Sequence, residues 1–146
     1  MEIDRLEHVG LDVKNLDEAI KLFSRLLGTT FIKLPPGRVQ KTITEHANRE
    51  FENIKLRMAM DRTGFLEITE STPPVAKEGL RNIHLKVKNL ELAKAEMKQE
   101  GIRLIAEMKN SHFKEAIYNP DDLCGVRMCL VEYDTDNMVD SLLESY

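Results

Sequence analysis

Two histidines stand in stretches of the chain that nearly repeat one another. The first stretch reads LEHVGLDVKNL and the second reads LRNIHLKVKNL, and they lie 74 residues apart, from Leu6 to Leu80. His8 and His84 occupy polar positions of these stretches but are two positions out of step. A neutral imidazole is a good ligand for Zn, Ni, Fe or Co. His8 therefore predicts a metal ligand or, alternatively, a hydrogen-bonded histidine in a cavity. His84 predicts a metal ligand, a polar group that binds a ligand, or a core histidine with its hydrogen bonds satisfied.

A carboxylate is the second chemical feature of the sequence. Glu67 stands among apolar residues in the stretch GFLEITES. Because a buried carboxylate needs a partner, we expect Glu67 to bind a metal or act as a base if it shares a cavity with His8. The alternative is an exposed glutamate on an edge strand. Together, His8, Glu67 and His84 would supply the two imidazoles and one carboxylate of a facial triad with open positions.

The surrounding pattern predicts how these side chains are positioned. In both stretches apolar residues alternate with polar ones, which is typical of a strand with one apolar face. Each predicted strand runs into an asparagine, Asn15 or Asn89, the residue type that caps a helix N-terminus. A helical pattern follows and ends before Gly28 or Gly101, where glycine is favoured just past a helix C-cap.

The remaining segments extend the repeat to two modules. Strand-like segments follow each predicted helix: TTFIKL, IKLRMAMD and GFLEITES in the first copy, with QKTITE as a further candidate, and IRLIAEMK, KEAIYN and VRMCLVEY in the second. The prolines of STPPVAKEG exclude a strand there and predict a linker. We therefore predict one domain over residues 1–146, with βαβββ modules at 5–71 and 79–133 and a tail at 134–146 that carries a short helix.

Composition narrows the class of protein. An apolar content of 42% with 32% charged residues is typical of a soluble globular protein, and a net charge of −4 argues against a nucleic-acid partner. No apolar run approaches the ~20 residues that cross a membrane, and the acidic start MEIDRLEH does not resemble a signal peptide. The two cysteines, Cys124 and Cys129, form no disulfide framework, which favours the reducing cytoplasm.

The repeat resembles the vicinal oxygen chelate superfamily, which includes glyoxalase I, methylmalonyl-CoA epimerase, extradiol dioxygenases and bleomycin-resistance proteins. The family's opening strand and helix resemble EHVGLDVKNLDEAIKLF and LLGTTF, and the late hairpin of the epimerases resembles YNPDDLCGVRMCLVE. This resemblance implies an α+β fold in which two tandem βαβββ modules form a curved half-barrel sheet around a central cavity. It also implies a homodimer, a small-molecule substrate and one divalent metal, Zn, Ni, Co, Mn or Fe.

The metal ligands of the family come from the first and last strands of each module. Carried over by motif, these positions are His8, Glu67, Asn82 and Cys129, where a complete family site reads His, Glu or Gln, His, Glu. Asn82 and Cys129 depart from that pattern, and in the epimerases a glutamate at the position of Cys129 helps to move the proton. Cys129 therefore predicts a thiolate ligand or a small buried residue, and Asn82 a polar group that binds a ligand.

His84 lies two residues beyond Asn82 on the same face of the predicted strand. This spacing is about 6.6 Å, which is large against a Zn–N bond of about 2.0–2.1 Å. His84 would thus ligate a metal only if the metal is shifted from its usual place. Two arginines, Arg57 and Arg127, would bind a carboxylate or phosphate if they face inward, and the alternative is a solvated strand face.

Three functions remain open on the sequence. The first is a metal-dependent lyase or isomerase of the glyoxalase or epimerase type, in which the metal stabilises an enolate-type intermediate. Glu67 or a metal-bound hydroxide would move the proton. The second is a metal-free protein that binds a small apolar or anionic molecule, as antibiotic-sequestering relatives do. The third is a degenerate member of the family whose main role is assembly.

Overall fold

The computed structural model describes residues 1–36 and 39–144, with the backbone alone described at 49 and 50. The elements, in chain order, are β1 (Ile3–Val13), α1 (Leu16–Leu27), β2 (Phe31–Leu34), β3 (Gln40–Ile43), α2 (Arg49–Asn53), β4 (Lys55–Asp61), β5 (Leu66–Thr72), β6 (Gly79–Val87), α3 (Leu90–Gln99), β7 (Leu104–Lys109), β8 (Phe113–Tyr118), a 3-10 turn (Pro120–Asp122), β9 (Met128–Tyr133) and α4 (Met138–Leu143). The predicted modules and tail include residues 37, 38, 145 and 146, which lie outside the described residues.

The nine described strands form one mixed sheet in the order β2-β4-β5-β1-β6-β9-β8-β7-β3. We call β2-β4-β5-β1 the first half and β6-β9-β8-β7-β3 the second half. Each half joins its first and last long strands in parallel, β1 with β5 and β6 with β9, and the halves meet where β1 pairs antiparallel with β6. The predicted α+β fold with a curved sheet is confirmed, and the polar faces of the repeated strands meet at its centre.

The sheet must curl because of how β3 is connected. A flat sheet of nine strands would hold its edge strands about 38 Å apart. The chain from Leu34, at the end of β2 on one edge, to Gln40, at the start of β3 on the other edge, spans at most about 22 Å. The segment QKTITE thus pairs with β7 of the second half, where Ile43 lies opposite Ala106, and not with its own module. Local pattern identifies a strand but not its partner.

Both long helices begin and end where the sequence predicts. The side chains of Asn15 and Asn89 each accept a hydrogen bond from a backbone N–H in the first turn, at 3.0 Å. Gly28 follows α1 in a left-handed conformation with φ of 64°. The helices cover one face of the sheet, with α1 packed on a cluster around Ile68 and α3 on a cluster around Leu130. The other face is left for the cavity.

The tail closes one side of the cavity. Helix α4 buries Met138, Val139 and Leu142 against a cluster that includes Met60 and Phe113, so the predicted short helix is confirmed. Met138 and Leu142 also line the cavity itself. Among the described residues, no helix combines the length and apolar character that a membrane crossing requires.

Candidate functional site

Two buried histidines meet at the centre of the sheet. The antiparallel register places His8 on β1 opposite His84 on β6. Their rings stack with centroids 3.8 Å apart and planes inclined by 20°. Both residues are almost completely buried, with 1% and 2% of their surface exposed. The two-position offset in the sequence is what brings the rings together, because the repeated strands run in opposite directions.

Gly10 makes room for a polar side chain from the neighbouring strand. It lies opposite Asn82 on β6 and beside Glu67 on β5. A Cβ atom at Gly10 would overlap Oδ1 of Asn82 and lie 3.3 Å from Oε1 of Glu67, so no larger residue fits with the present side chains. The buried Asn82 donates from Nδ2 to Sγ of Cys129 at 3.8 Å.

Glu67 reaches the histidine pair from β5. Glu67 is 6% exposed, and its Oε2 lies 3.8 Å from Nε2 of His8. Thr69, two residues further along the strand, donates from Oγ1 to Oε1 of Glu67 at 3.2 Å. Glu67 and His8 thus lie side by side, with Oε2 directed at the imidazole, but Glu67 lines the cavity and His8 does not.

A second carboxylate, Glu115, was missed by the sequence analysis. It lies on β8, and its Oε1 is 2.8 Å from Nε2 of His84. Glu115 is 6% exposed and lines the cavity together with Phe113 and Ile117 of the same strand. The signal in the sequence was that Glu115 stands between Phe113 and Ile117 at alternate positions of one strand. A charged residue at such a position lies on the same buried face as its apolar neighbours. Because the segment KEAIYN is short, this alternation is easily read as an ordinary strand.

The two histidines differ in their protonation. Burial, helped by the charge of His84, lowers the pKa of His8 to about 2, so His8 is neutral. Burial also lowers the pKa of His84, but Cys129 and Glu115 outweigh it and hold the pKa well above its ordinary value. Burial raises the pKa of the Cys129 thiol to about 11. At neutral pH the site thus contains a protonated His84 that lies 2.8 Å from Glu115, beside a neutral imidazole at His8.

The donors present fit a divalent metal. Ligand atoms of His84, Glu115 and Cys129 all lie within 4.8 Å of one another, and the three residues are buried. Imidazole, carboxylate and thiolate are the ligands of Zn and related metals. Within the described part of the chain, both ring nitrogens of His8, Nδ1 of His84 and Oδ1 of Asn82 are buried without a hydrogen-bond partner. Each such atom costs about 1–3 kcal/mol, so this cluster indicates that the site receives a further polar group.

The cavity above these residues has about 90 Å³ of free space. Glu67, Asn82, His84 and Glu115 line it, whereas His8 and Cys129 lie behind them. The other walls are largely apolar and come from both halves, from α2 and α4 and from the residue before β3: Leu34, Val39, Phe51, Leu56, Met58, Met108, Phe113, Ile117, Met138 and Leu142. A small molecule with one apolar and one polar end matches these walls.

The two predicted arginines lie in different places. Arg127, just before β9, lines the cavity. Arg57 lies on the opposite face of β4 from the cavity-lining Leu56 and Met58. Its side chain is about half exposed and pairs with Glu70 at 3.0 Å and Asp17 at 3.3 Å. The structure therefore brings six of the seven predicted site residues together and places Arg57 with helix α1.

The structure is therefore a curled α+β sheet with a duplicated strand–helix unit, around a cavity with a few buried polar groups and largely apolar walls. The profile of the Glyoxalase/Bleomycin resistance protein/Dioxygenase superfamily matches residues 7–118. The chain belongs to this superfamily. No curated protein matches the chain.

Solved structures share the fold at low sequence identity. One is a variant of the Streptomyces coelicolor methylmalonyl-CoA epimerase in complex with 2-nitronate-propionyl-CoA, with a TM-score of 0.66, 17% identity and coverage of 93% of this chain and 99% of that one. Another is the Mycobacterium tuberculosis methylmalonyl-CoA epimerase, with a TM-score of 0.60, 18% identity and coverage of 91% and 90%. A hypothetical protein from Bacillus halodurans has a TM-score of 0.61, 16% identity and coverage of 90% and 96%. These similarities establish the fold and not the reaction.

Proposed function

We propose that the protein is a divalent-metal-dependent lyase or isomerase of the glyoxalase or epimerase type. It acts on a small oxygenated substrate through an enolate-type intermediate. The observation that carries this proposal is the convergence of His84, Glu67 and Glu115, all buried, on one small cavity, with the buried His8 ring directly behind them. Structural neighbours that are epimerases of CoA esters support the same class of reaction by analogy of fold.

The metal would be held by His84, Glu115 and Cys129. When bound, a divalent metal supplies Lewis-acid polarisation of a substrate oxygen. The sequence predicts His8, Glu67 and His84 as ligands. We propose His84, Glu115 and Cys129 instead, because their ligand atoms all lie within 4.8 Å of one another. Cys129 and His84 must lose protons to become ligands, so metal affinity rises with pH.

Glu67 is the proposed base. Its carboxylate lines the cavity, so it can reach a C–H bond beside a substrate carbonyl. The hydrogen bond from Thr69 to Oε1 fixes the orientation of this carboxylate. His8 does not line the cavity and acts as a positioning residue, since its neutral ring lies 3.8 Å behind Oε2. The apolar walls and α4 keep bulk water from the carbanionic carbon.

Proton exchange tests this proposal without knowledge of the substrate. A panel of small carbonyl compounds and thioesters is incubated with the protein in D₂O, and loss of the α-proton signal is followed by NMR. We expect exchange of at least one compound class, abolished by chelator and restored by added Zn, Co, Ni or Mn. Exchange that survives exhaustive chelation would contradict metal dependence, and no exchange across the panel would contradict the proposed reaction.

A metal-free binding protein is the second candidate function. The observation that favours it is the 2.8 Å contact of His84 with Glu115, which gives each charge a partner without a metal. The replacement of two family ligands by Asn82 and Cys129 agrees with this alternative. It predicts ligand binding that is unchanged by chelator, together with no proton exchange.

We also propose a homodimer formed through the helix-side face of the sheet. Leu6 and Leu80 are exposed at 59% and 66%, and they lie opposite Leu85 and Leu11, which pack toward the helices. Leu6 and Leu80 are equivalent in the repeat, so this face is close to two-fold symmetric, as an isologous interface requires. Light scattering should give a dimer that becomes a monomer in the Leu6→Glu/Leu80→Glu variant and stays dimeric in Leu92→Glu, an exposed α3 control. A monomeric wild type would contradict the dimer.

A further inference from the structure

Three cationic side chains line one part of the cavity. Lys41 comes from β3, Arg81 from β6, and Arg127 from the segment that leads into β9. Lys41 is present because β3 crosses to the edge of the second half, so the arrangement depends on the fold and not on one sequence segment. Glu67 and the His84–Glu115 pair line the same cavity, so cations and the proposed base face one space.

The three cations differ in their partners. Arg81 donates to Asp12 at 2.7 Å, which neutralises it. For Lys41 and Arg127, no carboxylate among the described residues lies within ion-pair distance. Both lie against the ring of Phe51, with Nζ of Lys41 4.3 Å and Cζ of Arg127 5.6 Å from its centroid. Two cations thus share one aromatic platform without an acidic partner.

Arg127 has a buried donor that nothing in the described chain accepts. Its Nε atom is buried and has no hydrogen-bond partner. An arginine that is desolvated on one side ordinarily has a carboxylate or phosphate as its acceptor. The two side chains therefore form a positive region that a bound anion would stabilise.

We infer that Arg127 and Lys41 bind the anionic group of the substrate, a carboxylate or a phosphate, while its reacting carbon lies toward Glu67. This inference rests on the proposed function, since it names the substrate class for the same cavity. It assigns binding and orientation to the two cations, and no proton transfer. When the anionic group of the substrate binds to the two cations beside Phe51, its apolar part contacts the remaining apolar walls of the cavity.

Ligand-observed NMR titration tests the inference directly. The probes are isobutyrate, its neutral isostere isobutyramide, and inorganic phosphate, each added to the protein as purified and again with chelator. We expect an anion to bind and isobutyramide to bind at least about tenfold more weakly, since charge-assisted hydrogen bonds are lost. The comparison of isobutyrate with phosphate identifies which anion the site prefers.

Matched variants assign the binding to the two cations. Arg127→Gln should weaken anion binding about tenfold or more and Lys41→Gln severalfold, whereas Lys21→Gln, the same charge change on exposed α1, should have no effect. Circular dichroism checks folding, and because Lys41 is exposed on β3, Lys41→Gln remains informative if Arg127→Gln unfolds. Equal binding of isobutyrate and isobutyramide, or wild-type anion affinity in Lys41→Gln, would overturn the inference. Anion binding that persists with chelator while proton exchange is absent would contradict the proposed reaction and leave the anion site standing.

Discussion

The two halves of the sheet share one backbone plan and carry different chemistry on it. In the first half, His8 and Glu67 occupy the positions at which the sequence resemblance implies ligands. In the second half, those positions hold Asn82 and Cys129, and the charged pair His84–Glu115 lies beside them. The backbone repeat thus preserves the cavity while each half supplies its own functional groups. In the proposed function, the first half supplies the base that takes the proton and the second half holds the metal.

The largest expected effect is on the rate of proton exchange, because the proposed base lies in the first half. Glu67→Gln removes the proposed base but keeps its size and its bond to Thr69. We expect the rate of proton exchange to fall about 100- to 10,000-fold, the usual worth of a general base. Metal content should stay unchanged, because Glu67 is not a proposed ligand. An exchange rate equal to that of Glu100→Gln, an exposed control, would remove Glu67 from the mechanism.

A substitution at the histidine of the second half should lower the stability more than one at the histidine of the first half. In the metal-free protein, His84→Ala leaves Glu115 buried without its cation, and breaking a buried pair this way costs about 3–5 kcal/mol. Adding Glu115→Gln should recover part of the loss, because the uncompensated charge is gone. His8→Ala loses no ion pair with a charged imidazole and should cost less. Urea denaturation of the three variants measures this order, and an equal cost for His8→Ala and His84→Ala would contradict the assigned protonation.

The contact between the two halves at Gly10 and Asn82 can be tested with a double variant. Gly10→Ala places a methyl group where Oδ1 of Asn82 lies, and overpacking of this kind costs about 1–3 kcal/mol. Asn82→Ala removes the obstructing amide. We therefore expect the double variant Gly10→Ala/Asn82→Ala to be more stable than the sum of the single changes predicts, as denaturation midpoints will show. Simple additivity would mean that the two positions do not compete for this space.

Acid stability separates the two histidines. Because the pKa of His8 is lowered to about 2 in the folded protein, only the unfolded chain binds this proton below about pH 6.5. Stability should therefore fall on acidification, by about 2 kcal/mol at pH 5 from His8 alone. His84, whose pKa is raised, contributes stability that is complete below about pH 6.5 and is lost as pH rises through its folded value. His8→Asn should flatten the acid limb of the denaturation profile, and an unchanged limb would contradict a neutral His8.

The fold was predictable from the repeat, whereas the site was predictable only in part. Asparagine caps and alternating strands are local features, so helix starts and the central strands follow from the sequence. The partner of β3 is non-local, and its pairing with β7 has no signal in QKTITE. Register shifts in β1, on both sides of the segment from His8 to Gly10, place His8 opposite His84. Sequence spacing predicts about 6.6 Å between Asn82 and His84 along one strand. It does not predict the contact between His8 and His84 across two strands.

Glu115 shows the same limit for the candidate site. Its partner His84 is 31 residues away, and nothing in KEAIYN indicates that the two side chains meet. Arg57 illustrates the converse, because strand alternation alone does not tell which face is covered by a helix. Its pairing with Asp17 of α1 settles the face.

Metal stoichiometry, measured by mass spectrometry on the untagged protein, is the most direct test of the division between the halves. We predict about one divalent metal per chain, in line with the single donor cluster found among the described residues. The metal should be lost in His84→Ala and Cys129→Ala and kept in Glu67→Gln. Absence of metal after incubation with Zn, Ni, Co, Mn and Fe(II) would contradict the metalloenzyme and favour the metal-free binding protein. Metal that is kept in His84→Ala but lost in His8→Ala would place the site in the first half instead.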